Sequence, residues 1–445
     1  MKYFLLSFHI YMCFSFTPSS PGSGTRTLTG TTTSTRSLTG TTSVTRTLTD
    51  TPTVGTILMP ITSSDLCSVA FFQGILPFLT FDGPAPPLPS AAPPPSTWHA
   101  RLTAHGFVRL TPRQVWGEAV PEAYLRTLSL GVTRLAELGL PLSLLSVSKE
   151  AQAVAGALQG LLHQGLGSPS HACIGDWAFF HVDSAAQGKG WEPHRDRMRH
   201  QGALAADGSP AYITCWMPLS SATPEASCLY FVPRDKDPGY EQGDAGQGSS
   251  GEGSEESGSA APPPNPLAAA FSSPACWQNI IGLPTARGGL LCFSSRTLHW
   301  GGAPLASDPS WEAEEGPRAP RQALSIAFAT PHYELPALAR PLACAEPSFE
   351  EAVALACGQA LLYHSQAPLP SAAVARALLG VVQGLGEGLL EEGYRGRVLA
   401  AGSWVAFSTA FGESGKAGAP SAAEVALAFA GRAAADEGLD VSLYA

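Results

Sequence analysis

Charge is scarce in this 445-residue chain: only 14% of residues are Asp, Glu, Lys or Arg, and the net charge is -10. No basic cluster stands out, which argues against a nucleic-acid footprint. None of the nine cysteines has a Cys-x-x-Cys partner, so a zinc knuckle or redox dithiol is not expected. Their dispersed, odd-numbered set reads as reduced thiols of a cytosolic or organellar protein. A long apolar run is also lacking. The stretch "FLLSFHIYMCFSF" (4–16) is too short to span a bilayer, so no stable membrane span is expected. No acidic residue precedes Asp50.

That acid-poor start carries Lys2, Arg26, Arg36 and Arg46 in a Ser/Thr background with a tenfold repeat ("TRTLTGTTTS", "TRSLTGTTSV"). Each unit is too short and polar to bury a core, so it reads as a disordered leader. Its composition is that of an organellar transit peptide, with secretion disfavoured; a start codon placed upstream of the true one is the alternative reading. With the Pro-rich "GPAPPLPSAAPPPS" (83–96), an extended linker, the leader is expected to fill residues 1–97.

What is present is Gly and Pro, apolar helical spacing and short aromatic strands. Residues 112–165 carry amphipathic helical patterns. From Cys173 the texture turns to β. The runs 174–183, 211–219, 227–233, 288–300 and 321–331 are short, apolar and punctuated by Gly, Pro and Ser, the pattern of an antiparallel sandwich or barrel. Residues 237–265 hold six acids and no base and are expected to be a disordered insertion. A smaller insertion spans 307–320. Helices are expected at 348–366, 371–394 and 421–438, with Ser348 and Ser421 as N-caps, each followed three residues on by Glu351 or Glu424. A domain at 98–335 and a helical extension at 336–445 follow.

Two His-x-Asp triplets occur, His181-Val182-Asp183 and His194-Arg195-Asp196. On an extended backbone the first and third residues share a side, so either pair can grip a metal. Non-haem Fe(II) oxygenases need such a pair, a distant histidine and open coordination positions. His299, followed closely by two glycines, offers the histidine. Arg321, at the start of the last strand, offers a cation able to hold a carboxylate through two parallel hydrogen bonds.

These blocks resemble the phytanoyl-CoA dioxygenase family of Fe(II)/2-oxoglutarate enzymes. The resemblance rests on a His-x-Asp pair, "ITCWMPLSSATPEASCLYFVP" (213–233), "GGLLCFSSRTLHWGG" (288–302) and "RQALSIAF" (321–328). It implies a double-stranded β-helix, a cupin-like jelly roll with flanking helices. It implies Fe(II) on His194, Asp196 and His299, with 2-oxoglutarate as cosubstrate, dioxygen as oxidant and Arg321 on the far carboxylate of 2-oxoglutarate. It also selects the second triplet, because the family's pair follows a loop and precedes the Trp-containing strand. His181 is then a packed histidine and Asp183 starts a turn. Trp216 is a core aromatic or lines the cosubstrate pocket. Arg195 and Arg197 point away from the metal side, to the surface or to substrate. The chain departs from the family after His299, where Trp300 and Gly301 stand in place of Gly and Ser. Arg318 competes with Arg321 for the anchor role. The implied activity is hydroxylation of a small-molecule or acyl, lipid-like substrate. A cupin-like metal enzyme that does not use 2-oxoglutarate, and a non-catalytic binding module, are the alternatives. Substrate identity and oligomeric state are not legible.

Overall fold

A computed structural model describes residues 61–414, apart from 168–169, 184–189, 198–200, 243–269, 272, 303–319 and 341–345, and apart from the side chains of 242 and 407–414. All of these residues fall in one compact unit, Gly55–Ala445. Two antiparallel sheets form a double-stranded β-helix. The larger has the order β1-β6-β3-β8-β2 and the smaller β5-β4-β7. Their strands are β1 (Phe107–Leu110), β2 (Ala172–Val182), β3 (Tyr212–Pro218), β4 (Leu229–Phe231), β5 (Ile281–Leu283), β6 (Leu290–Ser294), β7 (His299–Gly301) and β8 (Arg321–Ala329).

Period-two alternation sorts the larger sheet into two faces. Trp177, Phe179, Ile213, Cys215, Met217, Leu324, Ile326 and Phe328 point to one side and join the main core. Helices cover that side. The helix Glu122–Glu137 presents Leu125, Leu128, Val132 and Leu135 at alternating spacings of three and four. Ser148 caps Lys149–Leu166 through Ala151 N–H. The C-terminal helices Phe349–Leu362, Ala372–Leu385 and Glu392–Ser414 complete the layer, and Ser143 Oγ donates to Ala356 O at 2.8 Å. Ser348 and Glu351 form the expected capping box. The residues between the sheets look into a cavity.

Four expectations are corrected. Residues 61–81 do not belong to a disordered leader: Ile61, Leu66, Phe72, Leu76 and Phe81 are core residues, and Phe72 packs edge-on against Phe349. The Pro-rich segment is extended but docked, with Ala92 N–H donating to Val115 O at 2.7 Å. The run 288–300 is not one strand. It breaks into β6 and β7 in different sheets, across a corner where Ser295, Arg296 and Thr297 are buried. Arg296 stabilises the corner by donating to the carbonyls of Gly239 and Tyr240. The single helix expected over 371–394 is two, divided near Gly386. The helix expected at 421–438 and its Ser421/Glu424 cap lie outside the described residues.

The first residue of the acidic segment expected at 237–265 is packed. Asp237 is fully buried and holds the fully buried Arg195 through two hydrogen bonds, at 2.6 and 2.9 Å. Arg195 is therefore neither a surface nor a substrate residue; it ties the loop that carries the triplet 194–196 to the start of the insertion. Breaking a buried pair from one side strands the other charge, at about 3–5 kcal/mol. Asp237→Ala should lower stability by that amount in urea unfolding, whereas Glu241→Ala, whose partner Arg234 also bonds backbone carbonyls, should cost less than about 1 kcal/mol.

Candidate metal centre

β7 is only three residues long, and its first residue pairs twice. On one side His299 lies opposite Phe231 of β4. On the other, His299 and His194 exchange both backbone hydrogen bonds, each 3.0 Å long. Side chains of directly opposed residues project to the same side, so the two imidazoles meet with centroids 4.4 Å apart. The loop can lie this close because Gly190 faces Gly301: a Cβ on Gly190 would sit 2.4 Å from Gly301 O. Two residues beyond His194, Asp196 returns to the same side, with Oδ1 3.5 Å from Nε2 of both His194 and His299.

The other ring atoms are already committed. Nδ1 of His194 bonds Glu192 O at 2.6 Å, and Nδ1 of His299 bonds Thr297 O at 3.0 Å. Backbone acceptors fix Nδ1 as the protonated nitrogen, which leaves both Nε2 lone pairs aimed at the shared point. Buried Nε2 of His194 has no hydrogen-bond partner among the described residues. Thr214 donates its hydroxyl to Asp196 Oδ2, which turns Oδ1 toward the histidines. Burial pushes Asp196 up, but His299, His194 and the Thr214 hydroxyl outweigh it and hold the carboxyl well below its usual range. Burial and the neighbouring His194 push His299 down to about 4, so it is neutral at pH 7. Burial also opposes charge on His194, yet Asp196 and Glu192 O raise it above the ordinary histidine value. Among the described residues this is the group of His, Cys, Asp or Glu side chains whose ligand atoms lie within 4.8 Å of one another. Two neutral-nitrogen donors and one carboxylate on one face fit a divalent first-row metal with positions left open.

His181 is placed elsewhere. It shares the face of Trp177 and Phe179, and its Nδ1 meets Gln322 Nε2 at 3.2 Å, which also donates to Thr133 Oγ1. Asp176, Ala178 and Phe180, of opposite parity on β2, line the cavity beside the triad. His163 bonds His171 O and His364 bonds Leu361 O; His200 lies outside the described residues.

The cavity, about 590 Å³, holds both the triad and Arg321. Arg321 is 3% exposed, and its Nε and Nη1 lack partners among the described residues. Its guanidinium lies 5.7 Å from the Phe180 ring centroid and 5.6 Å from that of Trp216. Burial pushes Arg321 down to about 10, against a small opposing influence of Cys228, so it is charged at pH 7. Trp216 is buried, lines the cavity and combines both sequence readings. Trp300 stacks on Tyr230, on the smaller sheet. Arg318 lies outside the described residues.

Residues 143–309 match the phytanoyl-CoA dioxygenase (PhyH) family. The resemblance read from the motifs is thus carried by a family model over that span. No curated protein matches. Among solved structures, the non-heme alpha ketoglutarate dependent epimerase SnoN from nogalamycin biosynthesis is 16% identical over 52% of this chain and 82% of its own, with a TM-score of 0.34. The carbocyclase SnoK, also from nogalamycin biosynthesis, is 14% identical over 55% and 87%, with a TM-score of 0.37. AviO1 from Streptomyces viridochromogenes Tue57 is 16% identical over 54% and 97%, with a TM-score of 0.36. At these scores the three carry no argument about this chain. Within the phytanoyl-CoA dioxygenase match lie the triad and Trp216; Arg321 and the C-terminal helices lie beyond it. Sequence reading missed Thr214, Asp176 and Tyr363. Thr214 was within reach, since it shares the strand parity of Trp216.

Removing a ligand should separate the two triplets. His194→Ala and Asp196→Ala should each abolish stoichiometric uptake of Fe(II) or Co(II) in anaerobic equilibrium dialysis, and His181→Ala should bind like the wild type. Metal needs neutral imidazole, and His194 is the histidine whose folded pKa is raised. Metal affinity of the wild type should therefore fall as pH drops below neutrality. A pH-independent affinity between pH 5.5 and 7.5 would contradict the assignment of His194.

Proposed function

We propose that the chain is an Fe(II)- and 2-oxoglutarate-dependent dioxygenase that hydroxylates a small molecule. The observation that carries this reading is Arg321, a buried cation without a partner among the described residues, in the cavity that holds the His194–Asp196–His299 triad. A buried charge is costly unless paired, so the cavity is built for an anion beside a metal. A dicarboxylate with a chelating keto acid at one end and a free carboxylate at the other fits both features.

The triad would hold the iron, with Asp196 supplying charge and the two Nε2 atoms supplying neutral donors. Iron with 2-oxoglutarate and dioxygen supplies the oxidising power, giving succinate, carbon dioxide and one oxygen atom for the substrate. Arg321 orients the cosubstrate by pairing with its far carboxylate, and Phe180 and Trp216 keep water from that ion pair, which strengthens it. Thr214 keeps Asp196 in a single orientation. Glu192 O and Thr297 O keep the imidazole protons on Nδ1, away from the metal.

The Arg321 role sets the test. Loss of one partner of a dry charge pair costs about 2–5 kcal/mol, so Arg321→Ala should raise the apparent 2-oxoglutarate constant by about 30-fold or more and leave Fe(II) binding unchanged. Arg321→Lys should fall between, because it keeps the charge and loses the fork. Arg318→Ala should resemble wild type. The readout is anaerobic titration of the metal-to-2-oxoglutarate charge-transfer band. If no band forms, or if neither variant shifts it, the metal enzyme that does not use 2-oxoglutarate becomes the better reading. Succinate release across a metabolite library then identifies substrates, and detection of a hydroxylated product decides the reaction type.

A further inference from the structure

The cavity has a second end. Asp176 on β2, Tyr212 on β3, Arg197 beside the triad and Tyr363 at the end of the helix Phe349–Leu362 line it. Ser365 and Gln366 line it too and are exposed, which marks this end as the mouth. Asp176 is aimed inward by an irregularity in β2 between Cys173 and Trp177, where Gly175 adopts a φ of +84°. Such a bulge re-aims the residue that follows it.

Among the described residues, the strong donors at this end are already used. Arg197 gives Nη2 to Asp176 Oδ2 at 2.7 Å, pairs with both oxygens of Glu334 at 2.7 Å, and gives Nη1 to Asp196 O at 2.9 Å. The hydroxyl of Tyr212 donates to Asp176 Oδ2 at 3.3 Å, and that of Tyr363 lies 3.0 and 2.9 Å from its two oxygens. Burial and the Asp176 charge push both phenols well above their usual value, so their protons stay in these bonds. Among the described residues, two carboxylates face one guanidinium, Asp176 and Glu334 against Arg197. A carboxylate offers about four acceptor sites, and Asp176 Oδ1 is met only by Tyr363 among the described residues. Trp191 supplies an apolar wall, 5.1 Å from Phe180 and 6.2 Å from Tyr363 between ring centroids.

Resting on the proposed function, we infer that this end receives a hydrogen-bond donor of the substrate, an amine or a hydroxyl, at the Asp176 carboxylate beside the Trp191 wall, and disfavours phosphate- and carboxylate-terminated molecules, acyl-CoA headgroups among them. Cations that line the cavity among the described residues are committed: Arg195 to Asp237, Arg197 to Asp176 and Glu334, and Arg321 to the cosubstrate end. Tyr363 is a positioning residue for Asp176. It lies beyond the family match at 143–309, so the C-terminal helices of this chain take part in setting its specificity.

The test uses four probes with one skeleton: 4-phenylbutylamine, 4-phenylbutanol, 4-phenylbutyrate and 4-phenylbutyl phosphate. Calorimetric titration is run on the full chain loaded with Ni(II) and 2-oxoglutarate, so that Arg321 is filled. The amine and the alcohol should bind at least about tenfold more tightly than both anions, the factor expected of a hydrogen bond worth ~1.4 kcal/mol. An amine stronger than the alcohol assigns a charged donor, and parity assigns a hydroxyl; both support the inference. Asp176→Asn should bring amine and carboxylate within about threefold of each other. Tyr363→Phe removes one phenol oxygen, keeps the packing, and should cut the preference by about threefold or more. An anion that binds as tightly as the amine overturns the inference, as does a preference unchanged in either variant. A repeat on metal-free Arg321→Ala protein separates the two proposals, since the ranking there does not depend on 2-oxoglutarate being the cosubstrate.

Discussion

The site depends on one contact, the reciprocal backbone pairing of His194 with His299. Neither residue lies in a long strand, and the two are more than a hundred residues apart in the chain. Two hydrogen bonds fix their spacing, their side and the approach of both rings at once. Much of the surrounding structure supports that pairing. Gly190 and Gly301 permit the approach, Gly301 N–H donates to Trp191 O, and Arg195, which separates the two ligands of the triplet, is fastened underneath by Asp237. The residue between His194 and Asp196 thus anchors the loop while its two neighbours meet His299. Period two assigns both roles.

That same period made a large part of the site legible. In β2, β3 and β8 the cavity residues are Asp176, Ala178 and Phe180; Tyr212, Thr214 and Trp216; and Arg321, Ser325 and Ala327. The alternate positions are core. A reader of the sequence can count by twos from Arg321 or Trp216, and the ordered motifs supply the starting points. The parity of His181 with Trp177 and Phe179 agrees with the choice of triplet that the family resemblance implies.

Composition was the weaker guide, because it reports averages over segments while packing acts on single residues. Asp237 opens an acid-rich run, and only its meeting with Arg195 distinguishes it from the acids that follow. Residues 61–81 have ordinary composition next to a low-complexity leader and a Pro-rich linker, yet Phe72 finds Phe81 and Phe349. The break between β6 and β7 is invisible for a related reason. Ser, Arg and Thr at 295–297 look like a strand end exposed to water, and their burial depends on partners from 106, 239 and 240. Tyr363 enters the site from a helix that no β motif anticipates. Each of these rests on a long-range contact, which local periodicity does not encode.

The cavity is polarised along its length, and the polarity bears on order and selectivity. At the inner end Arg321 is a buried cation without a carboxylate partner among the described residues, a desolvation cost that a bound anion would offset. At the mouth, among the described residues, Arg197 is shared between Asp176 and Glu334. On the proposed function, a dicarboxylate would be disfavoured at the mouth and drawn to Arg321, whereas a donor-bearing substrate would be held near Asp176. On that reading the two ligands take different ends of one cavity. The triad lies between these ends, with Asp196 tied to the inner wall through Thr214 and its backbone tied to the mouth through Arg197 Nη1.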